Sequence, residues 1–170
     1  MKNTKWIFLA IILVPPLIFD LPVFGQDDEN TRPTLRGLEG IFVNVEPLDP
    51  EIEKSGLTQS QIQVDTESKL KSAGINVLTK EQYLGLKGHP CLFVTVNISM
   101  LRTQITRYLF YTRIELNQEV VLVRAPDTKV TTVTWSAGGW GIDFSLDNIR
   151  QTVKTQVDRF VNAYLAENRH

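Results

Sequence analysis

The chain has 170 residues, 42% of them hydrophobic and 22% charged, with a formal net charge of −1. That size and balance describe one ordinary globular domain and exclude the basic surface of a nucleic-acid or anionic-membrane binder. A single cysteine, Cys91, leaves no internal disulfide to form, so packing has to hold the fold together.

The first residues read as an export signal rather than as part of that domain. Lys2 and Lys5 precede an apolar run from Trp6 to Phe19, and Val23-Phe24-Gly25 sets small or apolar residues where a signal peptidase cuts. Cleavage is expected after Gly25. An uncleaved anchor is the alternative, but the run is shorter than the ~20 residues that span a bilayer and is interrupted by Pro15, Pro16 and Asp20. No cysteine stands at the junction to carry a lipid. The expected organisation is a signal peptide over 1–25, a flexible polar linker over 26–37 and one α+β domain over 38–170. An exported domain without disulfides points to the bacterial periplasm or the medium, and Asn97-Ile98-Ser99 then reads as a chance sequon.

Beyond the linker, Ile41, Val43 and Val45 alternate with Phe42, Asn44 and Glu46, the period of a half-buried strand. Thr58 and Gln61 form a capping box, with Leu57 and Ile62 placed as a hydrophobic staple. Ala73-Gly74-Ile75 provides the stop, so a helix is predicted over Gln59 to Ala73. Ile75 to Leu78 reads as a short strand, Lys80 to Gly88 as helix or loop, and Cys91 to Leu101 as an alternating strand.

The stretch from Thr106 to Trp135 organises the rest. Tyr108, Phe110, Ile114 and Leu116 share one face; Arg107, Arg113 and Glu115 share the other with Leu109 and Tyr111. A straight strand from Thr106 to Arg124 would run roughly 60 Å at about 3.3 Å per residue, so a bulge or bend is expected at Asn117-Gln118. A turn follows at Ala125-Pro126-Asp127-Thr128 and a partner strand at Lys129 to Ser136. Ala137-Gly138-Gly139-Trp140-Gly141 then reads as a glycine-rich loop. The final helix, capped by Ser145, carries Ile149, Val153, Val157, Phe160, Val161 and Tyr164 as a broad apolar stripe. The order is β-α-β-β-β-β-α, an α+β fold with a mainly antiparallel sheet and both helices packed on one face.

Chemistry-bearing groups are sparse. His89 and Cys91 have no third ligand or orienting group beside them, so neither a metal site nor an activated thiolate is expected, and no cofactor. Asp27-Asp28-Glu29 and Glu51 with Glu53 read as solvated acidic clusters. Arg107, Arg113 and Arg124 are expected to pair with Glu115 and Glu119 rather than to hold an anion. The stretch with functional character is Gly138, Gly139, Trp140 and Gly141: an aromatic at the tip of a free loop can anchor a partner or a sugar. The alternative folds Trp140 back over the core edge.

Gly56-Leu57-Thr58, Ala73-Gly74-Ile75, Thr134-Trp135 and the ending Phe160-Val161-Asn162-Ala163-Tyr164-Leu165-Ala166-Glu167-Asn168 resemble a family of short exported bacterial proteins of unknown function. In order of elements the chain also resembles the N-terminal domain of the periplasmic translocation protein TolB and the lipopolysaccharide-assembly lipoproteins, although it lacks their lipidated cysteine. Neither resemblance implies a catalytic residue. The expected function is a non-enzymatic exported domain that binds another envelope protein through a strand edge or the glycine loop, with no nucleic acid and no membrane span after cleavage. The alternative is a carrier of a small apolar ligand held between the sheet and the last helix.

Overall fold

A computed structural model describes residues 23–168; the expected signal segment lies outside them except for its last residues. The elements are β1 (Val23–Gln26), a 3-10 turn (Arg32–Leu35), β2 (Phe42–Val45), α1 (Pro50–Lys54), α2 (Gln59–Ser72), α3 (Lys80–Gly85), β3 (Cys91–Arg102), β4 (Thr106–Leu122), β5 (Ala125–Asp143) and α4 (Leu146–Asn168). The result is an α+β fold on a five-stranded sheet in the order β1-β5-β4-β3-β2.

β3, β4 and β5 form an antiparallel meander. β2 instead lies parallel to β3, because three helices intervene and return the chain to the end where β2 began. The segment expected as a strand at Ile75 to Leu78 contributes only an isolated bridge between Ile41 and Val77.

Local signals fix the helix ends. Thr58 Oγ1 accepts from Gln61 N–H while the Gln61 side chain accepts from Thr58 N–H. At the other end Ile75 N–H reaches Leu70 O at 2.9 Å and Gly74 N–H reaches Lys71 O at 3.0 Å. Gly74 takes φ +76°, the left-handed step such a stop requires. Thr79 and Gln82 make a second capping box that starts α3, which resolves the helix-or-loop alternative at Lys80.

α2 and α4 cover one face of the sheet. The buried residues of α4, among them Ile149, Val153, Val157 and Phe160, meet Leu92, Val94, Phe110, Ile114, Leu116 and Trp135 in one core. Trp135 is edge-on to Phe160, ring centres 5.1 Å apart. The space between sheet and last helix, where the carrier alternative puts its ligand, holds these side chains. One polar pair crosses it, with Gln156 Nε2 donating to Thr112 Oγ1 at 2.7 Å.

Ion pairs join the two helices. Asp65 accepts from Arg150 Nε at 2.6 Å and Nη2 at 3.0 Å, with Lys154 Nζ at 3.4 Å. The Arg150 guanidinium, against the opposing effect of burial, holds the Asp65 carboxyl below its ordinary value. A depressed carboxyl stabilises the fold above its unfolded pKa, and that contribution is lost as pH falls through the folded value, below about pH 4. Asp65→Asn is therefore expected to lower the melting temperature at neutral pH and to flatten the acid limb, so that the two curves converge as pH falls below the folded value. Thermal melts across that range check it.

The residues expected as a flexible linker over 26–37 are packed on the domain. Leu35 is fully buried. Asp27 accepts from Trp135 Nε1 at 3.0 Å and from Arg32 Nε at 2.7 Å. Asn168 Nδ2 donates to Leu35 O at 3.0 Å, and Arg36 pairs with Glu167 at 2.7 Å. Apart from Leu35 and the Asp27–Arg32 pair, these anchors join polar groups far apart in sequence, and a low apolar content does not reveal them.

The ribbon agrees with expectation at its middle and departs from it at its turn. A register shift falls between Leu116 and Asn117, where a bulge was expected, and another between Val121 and Leu122. The tight turn is at 123–124, and β5 begins at Ala125. The residues 125–128, read as the turn itself, form the irregular start of the returning strand.

Candidate functional site on the open face of the sheet

Alternation along β4 buries Phe110, Thr112, Ile114 and Leu116 against the helices. The residues between them face the other way. There Leu109 stands opposite Ile142 and Tyr111 opposite Trp140, pairs whose Cβ atoms lie about 4.5–5.5 Å apart in any antiparallel ladder. The four side chains form a two-by-two block exposed by 40%, 53%, 36% and 46% in that order, and Phe144, exposed by 63%, extends it past the end of β5. Single exposed apolar residues need no explanation, whereas a group with two large aromatics is a candidate contact surface.

The border is polar and basic. Arg107 lies over the Phe144 ring at 5.6 Å from its centre, a cation–π arrangement. Arg113 pairs with Glu115 at 2.5 Å, as expected from sequence, whereas Glu119 pairs with Lys129 at 2.9 Å rather than with an arginine of the ribbon. Asn97 and Ser99 of β3 flank Tyr111 and Leu109.

The same face is covered at its far end. Tyr83 of α3 stacks on Phe42 with centres 5.0 Å apart, and His89 sits edge-on to Tyr83 at 5.5 Å. Cys91 is buried there, and burial pushes its thiol up to about 12. Such a thiol stays protonated at neutral pH and is not an activated nucleophile. Among the described residues no group of three or more His, Cys, Asp or Glu side chains is placed to hold a metal.

The glycine stretch is not a loop. Gly138, Gly139, Trp140 and Gly141 lie inside β5, paired with Arg113, Thr112, Tyr111 and Phe110 of β4. A Cβ on Gly138 would fall 2.6 Å from the Thr112 carbonyl oxygen, so the glycine permits close approach of two strands rather than freedom of a turn. The three glycines are buried, whereas Trp140 projects to solvent. Trp140 thus stays in the candidate site, joined by Leu109, Tyr111, Ile142 and Phe144. The alternation of Leu109 and Tyr111 with core residues was the available signal for two of them.

Two small clefts lie elsewhere. One, of about 330 Å³, is lined by Glu39, Asn76, Leu78, Gln82, Gly85 and Leu86. The other, of about 260 Å³, is lined by Asp27, Arg32, Arg159, Asn162 and Ala163; there the Arg32 guanidinium holds the Asp27 carboxyl below its ordinary value. Among the described residues no helix is long and apolar enough to cross a membrane.

Fold and site together define an α+β protein with one helix-covered face and one partly open face. No family model matches the chain, and no curated protein matches it. Among solved structures it is similar to a point variant of the PelC dodecamer from Paraburkholderia phytofirmans, at 13% identity over 85% of this chain and 97% of that one, TM-score 0.45. The PelC dodecamer of the same species in another crystal form is 12% identical over 88% and 99%, TM-score 0.44. A minor lipoprotein from Acinetobacter baumannii is 11% identical over 76% and 92%, TM-score 0.28.

Proposed function

We propose that this protein is a non-enzymatic exported accessory domain of the bacterial envelope that binds another protein on the open face of its sheet. The observation that carries the reading is the exposed block of Leu109, Tyr111, Trp140 and Ile142 with Phe144 beside it. Rigid aromatics on a strand lose little conformational freedom on binding, and they concentrate binding energy where water is excluded. Export rests on the N-terminal sequence alone.

A photo-crosslinking residue at Tyr111 or Ile142, introduced in cells, tests the face against one at Val64, which is 62% exposed on α2. Defined adducts are expected from the first two positions and none from the third. In the same assay Trp140→Ala is expected to cut adduct yield at least tenfold, about 1.4 kcal/mol of binding, with an unchanged melting temperature. Equal labelling at all three positions, or none at any, would overturn the reading.

A further inference from the structure

The edge of the sheet beside that face is formed by β1. β1 pairs with β5 in four steps, Val23 with Gly139, Phe24 with Gly138, Gly25 with Ala137 and Gln26 with Ser136. Three of those four residues precede the bond at which the export signal is expected to be cut. Cleavage after Gly25 would leave β1 as Gln26 alone, and one residue does not hold a sheet edge.

The rest of the N-terminal segment would stay in place. Its anchors begin at Asp27, held by Trp135 and Arg32, and continue through Leu35 to Asn168. Processing therefore bares the β5 edge at Ala137–Gly139 without undoing the fold behind it. The opposite edge of the sheet is treated differently. On β2, Gln63 Nε2 donates to Val43 O at 3.2 Å and Gln59 Nε2 to Val45 O at 2.6 Å, so side chains occupy carbonyls that a foreign strand would need.

We infer that the β5 edge at Ala137–Gly139 is an acceptor for an extended segment of a partner protein, filled by Val23–Gly25 in the precursor and opened when the signal is removed. Unpaired strand edges bind extended peptides by continuing the backbone ladder. The resident segment defines what fits. A Cβ on Gly25 would fall 2.4 Å from Ser136 O and 2.8 Å from Ala137 Cα, so a residue that faces Ala137 in the backbone conformation of Gly25 has to be glycine. The residue two positions before it pairs with Gly139, next to Trp140 of the open face.

The test uses protein exported and processed in a bacterial host from the full-length chain, with its N-terminus defined by intact mass. The probe is a fluorescent peptide of residues 20–26, Asp-Leu-Pro-Val-Phe-Gly-Gln. Saturable binding is expected to the chain that begins at Gln26. Binding at least tenfold weaker is expected to the same chain with Val23-Phe24-Gly25 restored behind a removable tag, and to the processed chain when the peptide carries Gly25→Val. A mature N-terminus upstream of Val23, equal binding to both chains, or no binding would overturn the acceptor site. Adducts retained at Tyr111 in those cases would leave the open-face reading standing, so the two fail separately.

Discussion

Trp135→Ala is expected to destabilise the domain by about 3–5 kcal/mol, the range for removing a large aromatic from a packed core. Trp135 is fully buried in β5, and its ring meets the edge of Phe160 from α4. Its truncation therefore removes contacts on both layers at once and leaves a cavity that the central strands cannot close. It also removes the Nε1 donor from Asp27, which loosens the N-terminal segment that Asp27 tethers. Denaturant unfolding should show a lower midpoint with little change in slope. Trp140→Ala is the internal control. Its side chain is 46% exposed on the open face, and a surface change of that kind is expected to stay within about 0.5 kcal/mol. A similar loss for both variants would mean that Trp140 is part of the core.

The contrast between these two tryptophans also marks where the sequence is legible. Both follow Val- or Gly-rich strand residues, and the sequence correctly assigns Trp135 to the core and singles out Trp140. What it misplaces is the setting of Trp140, because three glycines in four residues carry the local signature of a loop. The ladder overrides that signature: β4 pairs with Gly138 and Gly139 on one side, as β1 does on the other while Val23–Gly25 is present. Helix boundaries fare better because their causes are local. Thr58, Gln61 and Gly74 lie within a turn of the groups they satisfy, and the apolar stripe of α4 is a periodicity within one element. The packed 27–37 segment was illegible for the opposite reason. Asp27 finds Trp135, and Leu35 O finds Asn168, across more than a hundred residues, and no spacing rule connects them. The open face falls between these cases. Leu109 and Tyr111 are visible as apolar residues on the wetter side of β4, but only the register that sets them against Ile142 and Trp140 turns them into a patch.

Gly138→Val is expected to cost about 3 kcal/mol, the upper part of the usual range for overpacking, and to abolish labelling from Tyr111. The first Cβ atom would already lie 2.6 Å from Thr112 O and 3.3 Å from Arg113 Cα. Backbone atoms in the middle of a sheet cannot rotate away as a long side chain can. Nor can Thr112 retreat inward. Its hydroxyl donates to Gly139 O at 3.4 Å and accepts from Gln156 Nε2 at 2.7 Å, and a displaced Thr112 would leave the buried Gln156 amide without its partner, a cost of about 1–3 kcal/mol by itself. Relief therefore has to come from separation of β4 and β5 beside the Tyr111–Trp140 pair, which ties the stability loss to the site. Gly85→Ala provides the comparison, since nothing lies within 4 Å of a Cβ there; alanine in place of glycine in a helix is expected to be neutral or stabilising by up to about 1 kcal/mol. A Gly138→Val protein that melts like the parent yet loses Tyr111 adducts would put the valine itself in the contact surface. One that melts like the parent and keeps them would show that the two strands are not packed as closely as their backbones indicate.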